Sequence, residues 1–163
     1  MTYAKGTSVS VEKSRAELDR ILMRAGAAQR VTGSDDDAGL AYVGFTLSSR
    51  QVRLRIPMPK RGDFAKRPAN RSWRAAWGPE QQAAAWEQAC RERWRVFVLL
   101  VKAKLEAIEL NLSTVEREFL ADVQLLDGRS VHEFLQDGIA EMYRTGKPLP
   151  LLGPAVHEPT EEP

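Results

Sequence analysis

Cysteine and histidine are almost absent from this chain. Its 163 residues hold one cysteine, Cys90, and two histidines, His132 and His157. A single thiol excludes an internal disulfide and makes a cytoplasmic setting the expectation. Three such ligands, scattered along the chain, offer no zinc-type spacing. A lone cysteine inside a helical pattern reads as a small core residue rather than a nucleophile. No apolar run approaches the roughly 20 residues of a membrane-spanning helix. Residues 1–10 lack the apolar stretch of a secretory signal. There is no Gly-rich phosphate loop, no nucleophile elbow and no local support for a catalytic carboxylate pair. Asp35-Asp36-Asp37 reads as a solvated turn rather than a metal site. The expectation is no catalytic residue, no cofactor, no metal and no membrane contact.

Charge is present, and it is segregated. The formal net charge is +2, yet residues 44–104 carry fourteen Lys and Arg against Asp63, Glu80, Glu87 and Glu92. That middle is near +10, and the remainder is therefore near −8. A basic middle between acidic ends points to an anionic partner, most often nucleic acid.

Periodicity predicts an α+β chain. A helix is expected over Val11 to Ala25, capped by Ser10 and stopped at Gly26, with Leu18, Ile21, Leu22 and Ala25 on one face. Three strands follow: Ala28 to Thr32, Leu40 to Leu47 and Gln51 to Pro57. A polar turn at residues 33–37 and a reversal at Ser48-Ser49 separate them. In the third, Val52, Leu54 and Ile56 alternate with Gln51, Arg53 and Arg55, so one sheet face is apolar and the other carries arginines. The antiparallel three-stranded meander should rest on the first helix.

Pro79 opens the longest element. Trp86, Cys90, Trp94, Phe97, Val101, Leu105 and Ile108 form a helical stripe of core type over about 30 residues. Arg91, Arg95, Lys102 and Glu106 lie opposite. Ser113 and Glu116 suggest a capping box for a short helix over Thr114 to Leu120. A short strand is expected at Val123 to Leu126. Ser130 and Glu133 form a second capping box, opening a helix over Val131 to Arg144 that buries Val131, Phe134, Leu135, Ile139 and Met142. That helix is expected to cover Val98, Val101, Leu105 and Ile108; left uncovered, they would form a homodimer or partner surface. Residues 1–154 thus make one domain, and residues 155–163 a disordered acidic tail.

The basic constellation is the candidate site. Arg53 and Arg55 lie about 7 Å apart on one strand face, near the spacing of successive phosphates on a single strand. The linker of residues 58–78 adds Lys60, Arg61, Lys66, Arg67, Arg71 and Arg74, with Trp73 and Trp77 among them. Guanidinium groups grip phosphate and indole rings stack on unpaired bases.

Four segments resemble a family of small uncharacterised bacteriophage and prophage proteins. They are residues 11–17 (VEKSRAE), 86–95 (WEQACRERWR), 102–107 (KAKLEA) and 127–131 (DGRSV), and the similarity runs over most of residues 9–150. The resemblance brings no assigned activity, catalytic residue or cofactor. It implies a bacterial cytoplasm and a role accessory to replication or recombination, or inhibitory to host defence. The order helix, three strands, helix also resembles the topology of the double-stranded-RNA-binding fold. Two departures stand out: the long linker, and Pro79-Glu80-Gln81-Gln82 where a basic helix start would be. The leading expectation is a non-catalytic accessory protein binding nucleic acid with weak sequence specificity. The alternative is an interaction module or inhibitor docking on a host or phage protein, with or without homo-oligomerisation.

Overall fold

The structure is a computed structural model that describes residues 4–64 and 78–147. The elements run α1 (Val11–Arg24), β1 (Ala28–Asp35), β2 (Leu40–Leu47), β3 (Arg50–Pro57), a 3-10 turn at Arg61–Phe64 and α2 (Pro79–Glu109). Then come α3 (Val115–Phe119), a second 3-10 turn at Leu120–Asp122, and α4 (Val131–Thr145). The fold is α+β, with one antiparallel sheet in the order β1-β2-β3.

Local chemistry sets most boundaries. Ser10 Oγ accepts the Lys13 amide N–H at 3.2 Å and starts α1. Gly26 leaves it at φ +78°, the left-handed conformation that glycine adopts without a Cβ clash. Ser48 and Ser49 both hold positive φ, at 48° and 60°, as a two-residue hairpin turn twisted to suit its strands requires. That turn pins β2 to β3 in unbroken register from Leu40↔Pro57 to Leu47↔Arg50.

The alternation then decides the core. Ala41, Val43, Phe45 and Leu47 of β2 and Val52, Leu54 and Ile56 of β3 point inward. They meet Leu18 and Leu22 of α1, Trp94, Phe97, Val98, Val101 and Leu105 of α2, and Val115 and Phe119 of α3. Helices α1 and α2 form one layer on this face and pack chiefly along each other. Phe119 meets Phe45 edge-on at 5.6 Å, and Trp94 meets Phe97 the same way at 6.0 Å. Burying each such side chain is worth about 1.5–3 kcal/mol.

Several expectations are corrected. β1 continues to Asp35, so the turn falls at residues 36–39. Thr114, not Ser113, caps α3, accepting the Arg117 amide at 3.3 Å. The expected strand at Val123 to Leu126 shrinks to single bridges, Val52↔Val123 and Gln124↔Ser130. Trp86 is half-buried rather than core.

The largest correction concerns α4. Its capping box and its glycine stop form as expected, but it buries no residue. Phe134 is 55% exposed and Ile139 43%, while Val131, Leu135 and Met142 are half-buried. Its main neighbour is the small turn Leu120–Asp122. Val98, Val101 and Leu105 are buried without it, as part of the cluster with the sheet, α1 and α3. The acidic tail, residues 155–163, and the domain limit at residue 154 lie outside the described residues. No helix among the described residues is long and apolar enough to cross a membrane.

Candidate nucleic-acid interface

The outer face of the sheet is where the alternation places Arg53 and Arg55. Both are exposed, as is Gln51, while Val52, Leu54 and Ile56 between them are buried. Cross-strand register sets their neighbours: Tyr42 stands opposite Arg55 and Gly44 opposite Arg53. On the other side Tyr42 pairs with Gly33, and Gly44 with Val31. The Tyr42 ring lies across Gly33, where an added Cβ would come within 2.3 Å of ring carbon Cζ. Val31 Cγ1 lies over Gly44 in the same way, 2.9 Å from where a Cβ would stand. The two glycines thus let side chains lie low on the sheet and keep the face open. Tyr42 stays 39% exposed.

The two arginines differ. Arg53 has no hydrogen bond or ion pair among the described residues. Arg55 Nη1 sits 2.5 Å from Glu133 Oε1 at the start of α4. The Glu133 carboxyl also accepts the Ser130 amide at 2.8 Å. That backbone bond, aided by Arg55, holds it below the usual carboxylate range.

Among the other candidates that are described, Arg61 is not on this face. Arg61 lies over the Trp86 ring at 4.3 Å, and the indole Nε1 donates to the Pro59 carbonyl at 2.8 Å. Arg61 therefore belongs to the helix layer, behind the sheet. The Lys60 backbone amide donates to Asp63 at 3.3 Å, and its side-chain ammonium has no ion pair among the described residues. Lys66, Arg67, Arg71, Trp73, Arg74 and Trp77 lie outside the described residues. The segment that carries them leaves from the 3-10 turn packed on α2 and returns at Gly78, the cap of α2.

The charge segregation has an internal consequence. Cations of the basic middle meet carboxylates of the acidic ends: Arg95 with Glu17 at 2.5 Å, Arg55 with Glu133, Lys104 with Glu118 at 3.7 Å, and Arg50 with Glu116 at 4.0 Å. Surface pairs of this kind contribute about 0–1 kcal/mol each. They also compete with solvent anions for those cations, though Arg55 stays half exposed. Among the described residues, Arg53, Lys60, Arg61, Arg93 and Lys102 of the middle have no ion pair.

Cys90 is buried, and burial is the main cause that pushes its thiol up, which makes it a poor nucleophile. It lines a cleft of about 440 Å³ between α1, α2 and the β1–β2 hairpin. Of the cations of that cleft, Arg15 rests on the Trp94 ring at 4.8 Å with its Nε buried and without a hydrogen bond among the described residues, and Arg91 bonds Gln88 at 2.8 Å. Asp35, the last residue of β1, accepts the Ala38 amide at 2.8 Å across the turn.

Sequence reasoning placed Arg53 and Arg55 correctly on the exposed face but missed Tyr42. The signal was there, since Tyr42 alternates with Ala41 and Val43 and must point away from them. Gly33 carried no such signal, because its role depends on cross-strand register. No protein-family model, curated protein or solved structure matches the chain, so no activity or site residue comes to it from a relative.

Proposed function

We propose that this is a non-catalytic, phage-type accessory protein of the bacterial cytoplasm that binds nucleic acid electrostatically with weak sequence specificity. The supporting observation is the open outer sheet face, where Tyr42, Arg53 and Arg55 are exposed side by side. The guanidinium groups engage phosphates, and the ring stacks on an unpaired base. Both contacts are blind to base identity. The basic linker, with Trp73 and Trp77, extends the contact.

A gel shift on single- and double-stranded probes at several salt concentrations tests this. Arg53→Ser with Arg55→Ser should weaken binding across all sequences. The salt slope of log affinity should become shallower by roughly 1.4 on single strands and 1.8 on duplex DNA. Thermal stability should hardly change, because both side chains are exposed. Tyr42→Ser should cost about 1–3 kcal/mol on single strands and leave the slope intact. Failure of the wild type to bind any nucleic acid at low salt sinks the reading.

An interaction module is the second reading. The observation that favours it is the set of exposed apolar side chains on α4, Phe134, Ile139 and Tyr143.

A further inference from the structure

Two apolar surfaces of the described structure have no partner. One is α4, which buries nothing. An amphipathic helix of 15 residues draws most of its stability from a covered apolar face. The other is a groove of about 340 Å³ between β3 and α2, lined by Leu54, Ile56, Pro57, Val96, Phe97 and Leu100. Val96 is 42% exposed there and Leu100 53%. No residue of α4 lines this groove.

The two surfaces are opposite in charge. The groove is rimmed by Arg55, Arg93 and Lys104 against one carboxylate, Asp122. Helix α4 carries Glu133, Asp137 and Glu141 at four-residue spacing, so all three share a side, against one arginine, Arg144. Much of this charge is engaged within the chain: Arg55 with Glu133, Lys104 with Glu118, Glu141 with Arg144. Arg93 on the groove and Asp137 on α4 have no ion pair among the described residues.

We propose that a second copy of this chain fills the groove. Helix α4 of each protomer lies along α2 and β3 of the other, with Arg93 of one meeting Asp137 of its partner. The arrangement is two-fold, so both unpartnered surfaces of both copies are covered at once and the assembly closes. Within one chain the same contact is not made. The Gln124↔Ser130 bridge and the Arg55–Glu133 pair hold the start of α4 at the rim, and its body lies outside the groove. The proposal names a partner for the α4 surface; Arg55 is shared between the groove rim and the proposed nucleic-acid face, so the test uses Arg93 and Asp137, neither of which is assigned to nucleic-acid contact.

Sedimentation equilibrium of the full chain across a concentration series tests it. The wild type should be a dimer. Arg93→Glu and Asp137→Arg should each weaken dimerisation roughly tenfold or more, by setting like charges together. The double variant, carrying both changes, should recover it. Phe134→Ser should abolish it, with the urea unfolding of the core retained because Phe134 is exposed and outside the core cluster. A wild type that stays monomeric up to about 1 mM overturns the proposal, including the case in which residues 148–163 cover α4 instead. A dimer indifferent to Phe134→Ser, or a charge exchange that fails to restore association, overturns it equally.

Discussion

Helix α2 starts at Gly78-Pro79 with no side-chain cap and buries Cys90, Trp94, Phe97, Val98, Val101 and Leu105, whereas α4 starts in a full capping box, ends on a left-handed glycine and buries no residue. By local criteria α4 is the better-specified helix. Ser130 Oγ accepts the Glu133 amide at 3.2 Å, Glu133 returns the bond to Ser130 at 2.8 Å, and Gly146 sits at φ +69°. These features satisfy backbone groups that any helix end exposes, and they act whatever lies nearby. Burial needs an opposing surface. Helix α2 has the inner face of the sheet and α1; α4 has a three-residue turn. Capping helps to set where a helix starts and ends, and the surface it meets determines what it is worth to stability.

The largest effect should come from the α2 side. Leu105 is buried in the cluster that joins sheet and helices, so Leu105→Ala should cost about 2–5 kcal/mol in urea unfolding. An unchanged urea midpoint would erase the distinction between the two helices. Ser130→Ala should cost about 0.5–2 kcal/mol of local α4 stability. It should appear as faster hydrogen exchange in α4 and a small shift in global unfolding. An equal loss by both measures would show that α4 folds as one unit with the core.

The smallest effect sits at the junction. Asp122 lies in the turn between the core and α4, and burial raises its carboxyl above the usual value, with Lys104 and His132 acting the other way. The sign follows from proton binding. The folded state holds this proton more tightly than the unfolded chain. Its contribution to stability is therefore present at low pH and lost as pH rises through the folded value. Asp122→Asn should remove that loss, so its stability relative to wild type should grow as pH rises above about 4. Glu133 works in the opposite sense, since its carboxyl is held low by the Ser130 amide. Its contribution is present at neutral pH and fades in acid. A difference curve flat from acid to neutral would mean that Asp122 is solvated, and the α4 junction looser than the structure has it.

Much of the fold is legible in the chain because it rests on periods and caps. Val52, Leu54 and Ile56 against Arg53 and Arg55 need only the two-residue period of a strand. The stripe from Cys90 to Leu105 needs only the helical period, and Ser10, Ser130 and Gly146 need only their own neighbours. The candidate site is legible in part: the exposure of two arginines follows from alternation, while their difference does not. Among the described residues Arg53 has no ion pair, and Arg55 is paired because Glu133, 78 positions along the chain from Arg55, is brought to the rim of the sheet.

The sequence by itself determined the main helices and strands, most of their ends, the two faces of the sheet and the segregation of charge, which depend largely on residues a few positions apart. Only the tertiary structure decided that the acidic ends neutralise part of the basic middle, that Tyr42 lies on Gly33, and that α4 buries no residue among the described ones. Each of these joins residues distant in the chain through strand register or helix placement. No local propensity encodes such a meeting, because it is the sum of many small burial and pairing energies over the whole molecule.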